Sequence, residues 1–426
     1  MSKQVQDAYI VAATRTPIGR SGRGYFKNTR PDDLLLAAVR SAMKQVPTLD
    51  PKAIEDAIIG CSFPEGEQGM NMARIVMGLA FPNPVGGVTV NRFCASGVTA
   101  IQMAADRIRV GEADVLIAGG AESMSLVPMG GNKPSFNPEI FVKDENVGIG
   151  YGMGLTAEKV AAQWKVTREA QDAFALESHL RALKAQAAGE FGDEMTPIDV
   201  VARFPNLATG EQGLSTRTVK LDEGPRPDTS LEGLAKLKPV FAAKGSVTAG
   251  NSSQTSDGAG ALILASEKAV KQFDLKPLAR FVSFAARGVP PEIMGIGPIE
   301  AIPAALRYAG LNIADIGWIE LNEAFAAQSL AVINSVGLDP AKVNPMGGAI
   351  ALGHPLGTTV ALRIAPPQPE VRDGDDVRWH GAGRGRHLRT CLKQRHQPPR
   401  RRPSAAVRCG GSVSSSASVR SPRRWS

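Results

Sequence analysis

The chain has 426 residues, of which 43% are hydrophobic and 5% aromatic, so it can build two core-forming domains of an ordinary globular protein. The sequence contains no apolar run of about 18 residues and no apolar N-terminal stretch, so we expect neither a membrane span nor a secretory signal. Its four cysteines are too scattered for an evident disulfide or metal motif, which favours a reducing, cytoplasmic compartment: Cys61, Cys94, Cys391 and Cys409.

The net charge of +8 invites a nucleic-acid function, but the charge is unevenly distributed. Residues 366–426 hold 14 Lys and Arg against 4 Asp and Glu, whereas residues 1–365 hold 35 basic and 37 acidic side chains. The basic character therefore belongs to the C-terminal segment, which is rich in Pro, Arg and Ser. Few residues there could form a core, so we expect this tail to be disordered and the body not to bind nucleic acid.

A helix–turn–strand pattern occurs twice in the body. A helical segment around 34–39 precedes a strand-like run at 57–61, and a helix from Pro298 precedes a similar run at 319–322. The interval from Ile54 to Gly60 equals the interval from Ile316 to Asn322. The sequence therefore predicts a duplicated α/β unit.

Between the two copies lies a strand–helix–strand unit and then a loosely patterned segment. Val88–Val90 and 114–118 read as strands, with one helical face marked between them. Residues 121–245 contain two helical stretches, 156–164 and 167–188, among frequent Gly, Pro and Met. We predict an N-terminal half of residues 1–120 with 246–275, an inserted loop domain at 121–245, a C-terminal half at 276–365, and the tail at 366–426.

Cys94 is a candidate nucleophile because it lies where a strand gives way to a helix. Unpaired N–H groups and the positive end of the helix dipole there are expected to lower the pKa of a thiol. The alternative, a small buried apolar residue, is the commoner role of a free cysteine. For Cys61, at a strand end with no helix directly after it, that core role is the prediction.

His354 is the candidate base, since it lies on a loop shaped by glycines and a proline, where polar side chains commonly serve a site. His179 is the other histidine of the body; Leu176, Leu180 and Leu183 mark the apolar face of the helix that carries it, so we expect His179 at the surface or at the edge of that face. Asn322 precedes Glu323 at a strand end, where its amide could hold a water or an oxyanion, or could cap a helix.

Six segments together resemble the successive signatures of thiolases, in the family's order and spacing between about residues 5 and 362. The segments are Asn91-Arg92-Phe93-Cys94-Ala95-Ser96-Gly97, Ala118-Gly119-Gly120-Ala121-Glu122-Ser123-Met124-Ser125, Met153-Gly154-Leu155-Thr156-Ala157-Glu158, Leu234-Ala235-Lys236-Leu237-Lys238-Pro239-Val240-Phe241, Asn322-Glu323-Ala324-Phe325-Ala326, and 347–357 with Gly353-His354-Pro355. The resemblance implies a duplicated, layered α-β-α-β-α fold with an inserted loop domain.

It also implies acyl transfer between coenzyme A thioesters, in which Cys94 attacks the keto carbon of a 3-ketoacyl-CoA and the shortened acyl group passes to CoA. His354 would accept the Cys94 proton and, with Asn322 and its water, stabilise oxyanions. Arg226 and Ser252 would face the nucleotide and pantetheine ends of CoA. By resemblance CoA is a co-substrate, no metal or prosthetic group is needed, and the chain forms a homodimer or homotetramer, with a β-oxidation multienzyme complex as a possible partner.

The tail departs from the family pattern. Thiolases carry a second catalytic cysteine in a Cys-x-Gly-x-Gly segment, yet the corresponding residues 377–385 contain no cysteine, and Pro366-Pro367 interrupts the expected helix. Residues 385–392 can be encoded by codons that, read one base later, give the thiolase ending Gly-Ile-Phe-Glu. We therefore predict a frame-shifted tail.

Three functions remain open on this sequence. The first is an active thiolase, and the second is an impaired thiolase-fold protein that binds or is acylated by acyl-CoA without turnover. The third, a ketoacyl synthase, would need a second active-site histidine, for which the body offers only His179.

Overall fold

The structure is a computed structural model, and it describes residues 5–205, 208–210 and 212–358. The chain divides into two units, Met1–Gly383 and Arg384–Ser426. The second unit lies outside the described residues, as do the tail assigned to residues 366–426 and the segment 377–385. The predictions of disorder and of a shifted reading frame therefore stay predictions.

The described strands form one mixed sheet and one hairpin. They are β1 Ala8–Arg15, β2 Gly19–Arg20, β3 Asp56–Gly60, β4 Val88–Val90, β5 Val115–Ser123, β6 Ile198–Pro205, β7 Gln212–Val219, β8 Ser256–Ser266 and β9 Ala279–Arg280. The sheet runs β4-β3-β5-β8-β1-β9, with β2 paired to β8, and β6 pairs with β7. The pairs β3–β4 and β3–β5 are parallel, whereas β8 runs antiparallel to both β5 and β1.

The described helices cover the sheet and build the rest of the body. They are α1 Pro31–Gln45, α2 Met72–Ala80, α3 Ser96–Arg109, α4 Met153–Gln163, α5 Arg168–Ala187, α6 Leu231–Ala235, α7 Glu267–Gln272, α8 Gly297–Ala309, α9 Ala326–Val336 and α10 Ala349–Leu352. The two helices predicted inside residues 121–245 correspond to α4 and α5, and the helix predicted from Pro298 is α8.

Helices bury the sheet on both faces. Successive side chains of a strand point to opposite sides, so alternate residues pack against different helices. In β5, Val115 and Ile117 pack with the α1 and α2 side chains, whereas Leu116 and Ala118 pack with α3. All eleven residues of β8 are buried. The result is a three-layer α/β arrangement, which places the carboxyl ends of β3 and β5 side by side.

The second copy of the predicted repeat is visible in the described residues as turns and helices. The 3-10 turns Pro51–Ala53 and Ile313–Asp315 are separated by the same offset as Ile54 and Ile316, and each is preceded by a long helix. The strand predicted at 319–322 reduces to one parallel bridge between Ile319 and Val343. In the described residues, the predicted strand has no strand partner other than Val343.

A buried ion-pair network joins the segment 121–245 to the sheet. Arg15, at the end of β1, donates to Asp222 through both terminal nitrogens at 2.7 and 2.9 Å and to Glu194 through Nε. Arg15 is 2% exposed, so breaking one partner would leave a buried charge unpaired. The structure thus fixes the segment to the sheet, although the domain boundaries themselves stay predictions. Within the described part of the chain, no helix is long and apolar enough to cross a membrane.

Candidate active site

Cys94 lies in a short, strained turn between β4 and α3. Phe93–Ala95 form one 3-10 turn, and α3 begins directly after it at Ser96. Phe93 has a φ of 45°, a left-handed value that a phenylalanine rarely adopts. Because such strain persists only where surrounding contacts impose it, the turn is a candidate functional element.

Hydrogen bonds from both sides hold this turn. Asn91 accepts the Phe93 N–H through Oδ1 at 2.7 Å and donates through Nδ2 to the carbonyl of Ser62 at 2.9 Å. Ser96 Oγ donates to the carbonyl of Phe93 at 2.6 Å and accepts the N–H of Arg92 at 2.8 Å. The position of Cys94 is therefore set by the end of β3 as well as by its own helix.

The thiol of Cys94 is not activated in the resting protein, which corrects the expectation from its position. Burial raises the pKa of Cys94 to about 12, and the negative charge of Glu122 raises it further. The helix start does supply unpaired N–H groups, but loss of hydration of the thiolate outweighs them. Cys94 is thus a neutral thiol that needs a base to become nucleophilic.

His354 is buried, and its backbone is held by the residues directly before β8. Its N–H donates to the carbonyl of Gln254 at 3.1 Å, and it forms a parallel bridge with Thr255. The preceding Gly353 has a φ of 108°, and a Cβ there would lie 2.6 Å from Ser256 Oγ, so glycine is required. Burial lowers the pKa of His354 to about 4, so its imidazole is neutral and able to accept a proton.

Asn322 and His354 are brought together by the fold. The Asn322 Nδ2 and His354 Nε2 atoms are 3.3 Å apart. Asn322 Oδ1 is buried and has no hydrogen-bond partner among residues 5–358. The alternative role of Asn322 as a helix cap is wrong, because α9 begins at Ala326 with Phe325 as its cap residue.

Glu323, which the sequence analysis did not assign a role, fixes the residues around Asn322. Its carboxylate accepts from Ser178 Oγ at 2.7 Å, Asn344 Nδ2 at 2.8 Å and the N–H of Ile350 at 3.1 Å. A Cβ on Gly348 would collide with this carboxylate. Glu323 thereby ties the Asn322 segment to the glycine-rich segment that carries His354.

The turn of Cys94 and the segment of His354 meet in the fold. The Phe93–Ala95 turn packs against the 3-10 turn Leu356–Thr358, which begins two residues after His354. The turn of Cys94 thus lies beside the segment that carries His354, whose ring is in contact with the Asn322 amide.

His179 is buried, so its predicted surface position is wrong. It is 5% exposed, and its Nδ1 accepts the backbone N–H of Arg226 at 3.2 Å. Burial lowers the pKa of His179 to about 4, with the positive charges of Arg226 and Arg20 adding to the effect. The neutral ring therefore serves as an acceptor that positions the loop of Arg226, whose side chain is exposed.

Ser252 and Cys61 complete the set of residues singled out by the sequence. Ser252 is buried, its hydroxyl donates to the carbonyl of Thr248 at 2.6 Å, and it forms a bridge with Phe325. It therefore lies beside the Asn322 segment, although its hydroxyl is bonded within its own turn. Cys61 is fully buried, which confirms its predicted core position, and burial raises the pKa of its thiol. In the described ranges no three His, Cys, Asp or Glu side chains cluster as a metal ion would require.

Two family models match the chain. The model of the thiolase N-terminal domain matches residues 8–268, and the model of the thiolase C-terminal domain matches residues 275–367. Together these matches cover most of the body and end close to the start of the basic tail.

Curated relatives are similar over most of their own length. The chain is 48% identical over 357 residues to a 3-ketoacyl-CoA thiolase of Bacillus subtilis, which covers 83% of this chain and 90% of that protein. It is 45% identical over 381 residues to a beta-ketoadipyl-CoA thiolase of Pseudomonas knackmussii, covering 85% and 92% of the two chains. A peroxisomal 3-ketoacyl-CoA thiolase of the rat is 45% identical over 367 residues, covering 86% and 83%.

Solved structures have the same fold. The acetyl-CoA acetyltransferase of Bacillus anthracis superposes with a TM-score of 0.75 at 38% identity, covering 84% of this chain and 91% of that one. The human mitochondrial 3-ketoacyl-CoA thiolase in complex with CoA gives a TM-score of 0.73 at 39% identity, covering 84% and 89%. These matches confirm the duplicated, layered fold class.

Proposed function

Since the chain belongs to the thiolase family, we propose that it transfers acyl groups between coenzyme A thioesters through an acyl-Cys94 intermediate. The reaction is thiolytic cleavage of a 3-ketoacyl-CoA to acetyl-CoA and a shortened acyl-CoA, or the reverse Claisen condensation. The names of its relatives, 3-ketoacyl-CoA thiolases and an acetyl-CoA acetyltransferase, support this class of reaction.

The observation that carries the assignment of roles is the neutral His354 imidazole beside Asn322, next to the turn of Cys94. With the pKa of His354 lowered to about 4 and that of Cys94 raised to about 12, both groups are neutral before the reaction. The Cys94 proton passes to His354 as the sulfur attacks the keto carbon of the substrate. A tetrahedral intermediate with a negatively charged oxygen results.

Collapse of this intermediate breaks the bond between the α carbon and the keto carbon. The electron pair leaves as the enolate of acetyl-CoA, which takes a proton at the α carbon from water, and the acyl group stays on Cys94. The thiol of CoA attacks the acyl carbon next and gives its proton to the hydroxide left by that step. The sulfur of Cys94 leaves as the group passes to CoA, and it takes back its proton from His354. The Asn322 amide and the protonated His354 are placed to stabilise the oxyanions.

The ends of CoA are assigned to two further residues. Arg226 presents an exposed guanidinium to the nucleotide phosphates, and His179 fixes its backbone. Ser252 lies beside the Asn322 segment, where the pantetheine arm would reach the reacting carbon. CoA is a co-substrate in this proposal, which needs no metal or prosthetic group.

We assign the cellular setting to fatty-acid β-oxidation in the cytoplasm, with a homodimer or homotetramer as the functional form and a β-oxidation multienzyme complex as partner. The name 3-ketoacyl-CoA thiolase, shared by several relatives, supports the role in β-oxidation. The cytoplasmic setting rests on the scattered cysteines of the sequence, and the assembly rests on the resemblance to thiolases. Size-exclusion chromatography with light scattering would test the assembly.

One sequence observation favours a second candidate, an impaired thiolase that is acylated without turnover. Residues 377–385 contain no cysteine where the family carries its second catalytic one. The test is to add CoA and acetoacetyl-CoA to the purified chain and follow the substrate absorbance, with a Cys94→Ser variant as control. Loss of absorbance that depends on Cys94 supports the full reaction. Acylation of Cys94 without loss supports the impaired form, and neither event would refute both.

A further inference from the structure

Glu122 is a buried carboxylate at the carboxyl end of β5. Gly60 of β3 pairs in parallel with Gly120 of β5, so Glu122 lies just beyond the end of β3. Glu122 is 1% exposed. A buried charge of this kind is costly unless several donors satisfy it, so its partners reveal what it holds.

Four N–H groups from three separate segments donate to the Glu122 carboxylate. The backbone N–H groups of Ser62 and Phe63 lie at 2.8 and 3.3 Å, Gln68 Nε2 at 2.9 Å, and the N–H of Gly357 at 3.1 Å. Over the described ranges no Lys or Arg side chain pairs with it. The Cys61 thiol donates to Oε1 as well, at 3.7 Å. These donors favour the ionised carboxylate and act against burial, which raises the pKa of Glu122.

The Gly357 N–H that donates to Glu122 lies where three stretches of backbone pack closely together. A Cβ on Gly120 would collide with the carbonyl of Gly357, and a Cβ on Gly357 would lie 3.0 Å from both Glu122 Oε2 and the Cys61 Cα. The Leu356–Thr358 turn therefore packs in a single position, between β5 and the Cys94 turn. The hydrogen bond from Gly357 to Glu122 holds the turn there, and His354 lies three residues before Gly357.

We propose that Glu122 is a positioning residue for acyl transfer: its carboxyl group joins the residues after β3 to the Gly357 amide and so keeps the histidine segment aligned with the Cys94 turn. This inference rests on the proposed function of Cys94 and His354. The carboxylate also has an electrostatic role, because its negative charge opposes formation of the Cys94 thiolate.

The groups around Cys94 are consistent with a resting neutral thiol. Glu122, which accepts from the Cys61 thiol, acts electrostatically on Cys94, and the segment that follows His354 packs against the Cys94 turn. Arg92, before the turn, is directed elsewhere: its NH1 donates to Thr99 Oγ1, and its guanidinium lies over the Phe284 ring. Among the charged groups, Glu122 therefore has the electrostatic effect on the pKa of Cys94 that adds to burial.

Two variants separate the positioning role from the charge. Glu122→Gln keeps the length of the side chain but removes the charge and brings an NH2 group against N–H donors. Glu122→Asp keeps the charge but shortens the reach to Gly357 by one methylene. Both should slow acylation of Cys94 by acetyl-CoA roughly 10- to 100-fold, because small displacements of reacting groups cost rates of that order. Only Glu122→Gln should shift the pH profile of Cys94 alkylation by iodoacetamide to lower pH.

The matched control is Asp56→Asn, which removes one carboxylate from the opposite end of β3, where Asp56 pairs with Arg107. Acylation is followed by intact mass, alkylation by peptide mass, and folding by the thermal transition. Acylation rates within about twofold of the parent chain in both Glu122 variants would overturn the positioning role. If Glu122→Gln does not fold, the rate of Glu122→Asp alone decides the matter. Failure of the parent chain to be acylated would refute the proposed function instead, while alkylation still reports on the charge.

Discussion

The side-chain amide of Asn322 lies 3.3 Å from Nε2 of His354, although the two residues belong to separate segments that pack together through Glu323. The amide can donate to the neutral ring only while Nε2 is unprotonated. When the ring takes a proton, this hydrogen bond is lost, and both groups become donors toward a developing oxyanion. The pair is therefore suited to change its role during the reaction.

We expect Cys94 to be the acylated residue. Incubation with acetyl-CoA and peptide mass spectrometry should show the added acetyl mass on the Cys94 peptide, since the thiol of Cys61 is fully buried and bonded to Glu122 at 3.7 Å. A Cys61→Ala variant should keep the label, whereas Cys94→Ser should lose it. Label on Cys61 would contradict the assignment.

Replacing His354 by Ala should slow acylation of Cys94 by roughly 100-fold or more, the usual scale for loss of a general base. Affinity for CoA, measured by isothermal titration, should change little, because Arg226 and Ser252 remain. Added imidazole should restore part of the rate by entering the vacated space. Acylation at the parent rate would show that another group takes the proton.

Alkylation of Cys94 should report its raised pKa. With a pKa of about 12, the thiolate fraction rises about tenfold with each pH unit below that value, so the iodoacetamide rate should climb steadily between pH 6 and 10. A low-pKa thiolate would instead give a rate that levels off near neutrality. Mass spectrometry of the Cys94 peptide over a pH series distinguishes the two, and a plateau near pH 7 would be inconsistent with a resting thiol.

Replacing His179 by Ala should weaken CoA use while sparing the chemistry. The change leaves the backbone N–H of Arg226 without its acceptor, which costs about 1–3 kcal/mol and loosens the Arg226 loop. We expect a higher KM for CoA and little change in the acylation rate at saturation. The control is His179→Asn, whose Oδ1 can take the place of Nδ1. Equal KM values in the parent and Ala chains would remove His179 from this role.

The tail should limit turnover. The second candidate, the impaired form, predicts that Cys94 is acylated while cleavage of acetoacetyl-CoA is negligible, because residues 377–385 contain no cysteine. A version with a thiolase-like ending that includes Cys-x-Gly-x-Gly should cleave it and be more soluble. The two chains are compared side by side in the absorbance assay. Comparable turnover would mean that a residue of the present chain supplies the second acid and base.

The sequence predicted the position of the site better than its electrostatics. The motifs predicted a site made of Cys94, His354 and Asn322, and the structure places the last two side by side. The raised pKa of Cys94 depends on burial and on Glu122, which only packing reveals. Both Glu122 and Glu323 were overlooked because a buried acid is recognisable only by its donors.

The error at His179 has a physical cause in α5. The helix buries its small residues, Ala175, Ser178 and Ala182, and leaves Leu180 52% exposed. Close approach of α5 to its neighbouring helices α9 and α10 favours small side chains over large apolar ones. Of the three leucines, Leu180 therefore faces outward and the other two are half-buried, whereas His179 is buried. Strand β8 was missed as well, since a strand buried on both faces lacks alternation.

The position of β8 has a consequence for synthesis of the chain on the ribosome. The strand separates β5 from β1 in the sheet, yet it begins at Ser256, long after β5 ends at Ser123. Because synthesis proceeds at ~5–20 residues per second, β8 is made on the order of ten seconds after β5, and until then β1 and β5 lack the strand that joins them. During that interval the nascent chain carries unpaired apolar strand edges, which are templates for pairing with other chains. The sheet of this half can therefore be completed only late in synthesis, after β8 has emerged, and chaperone occupancy of the nascent chain should peak before residue 266 emerges.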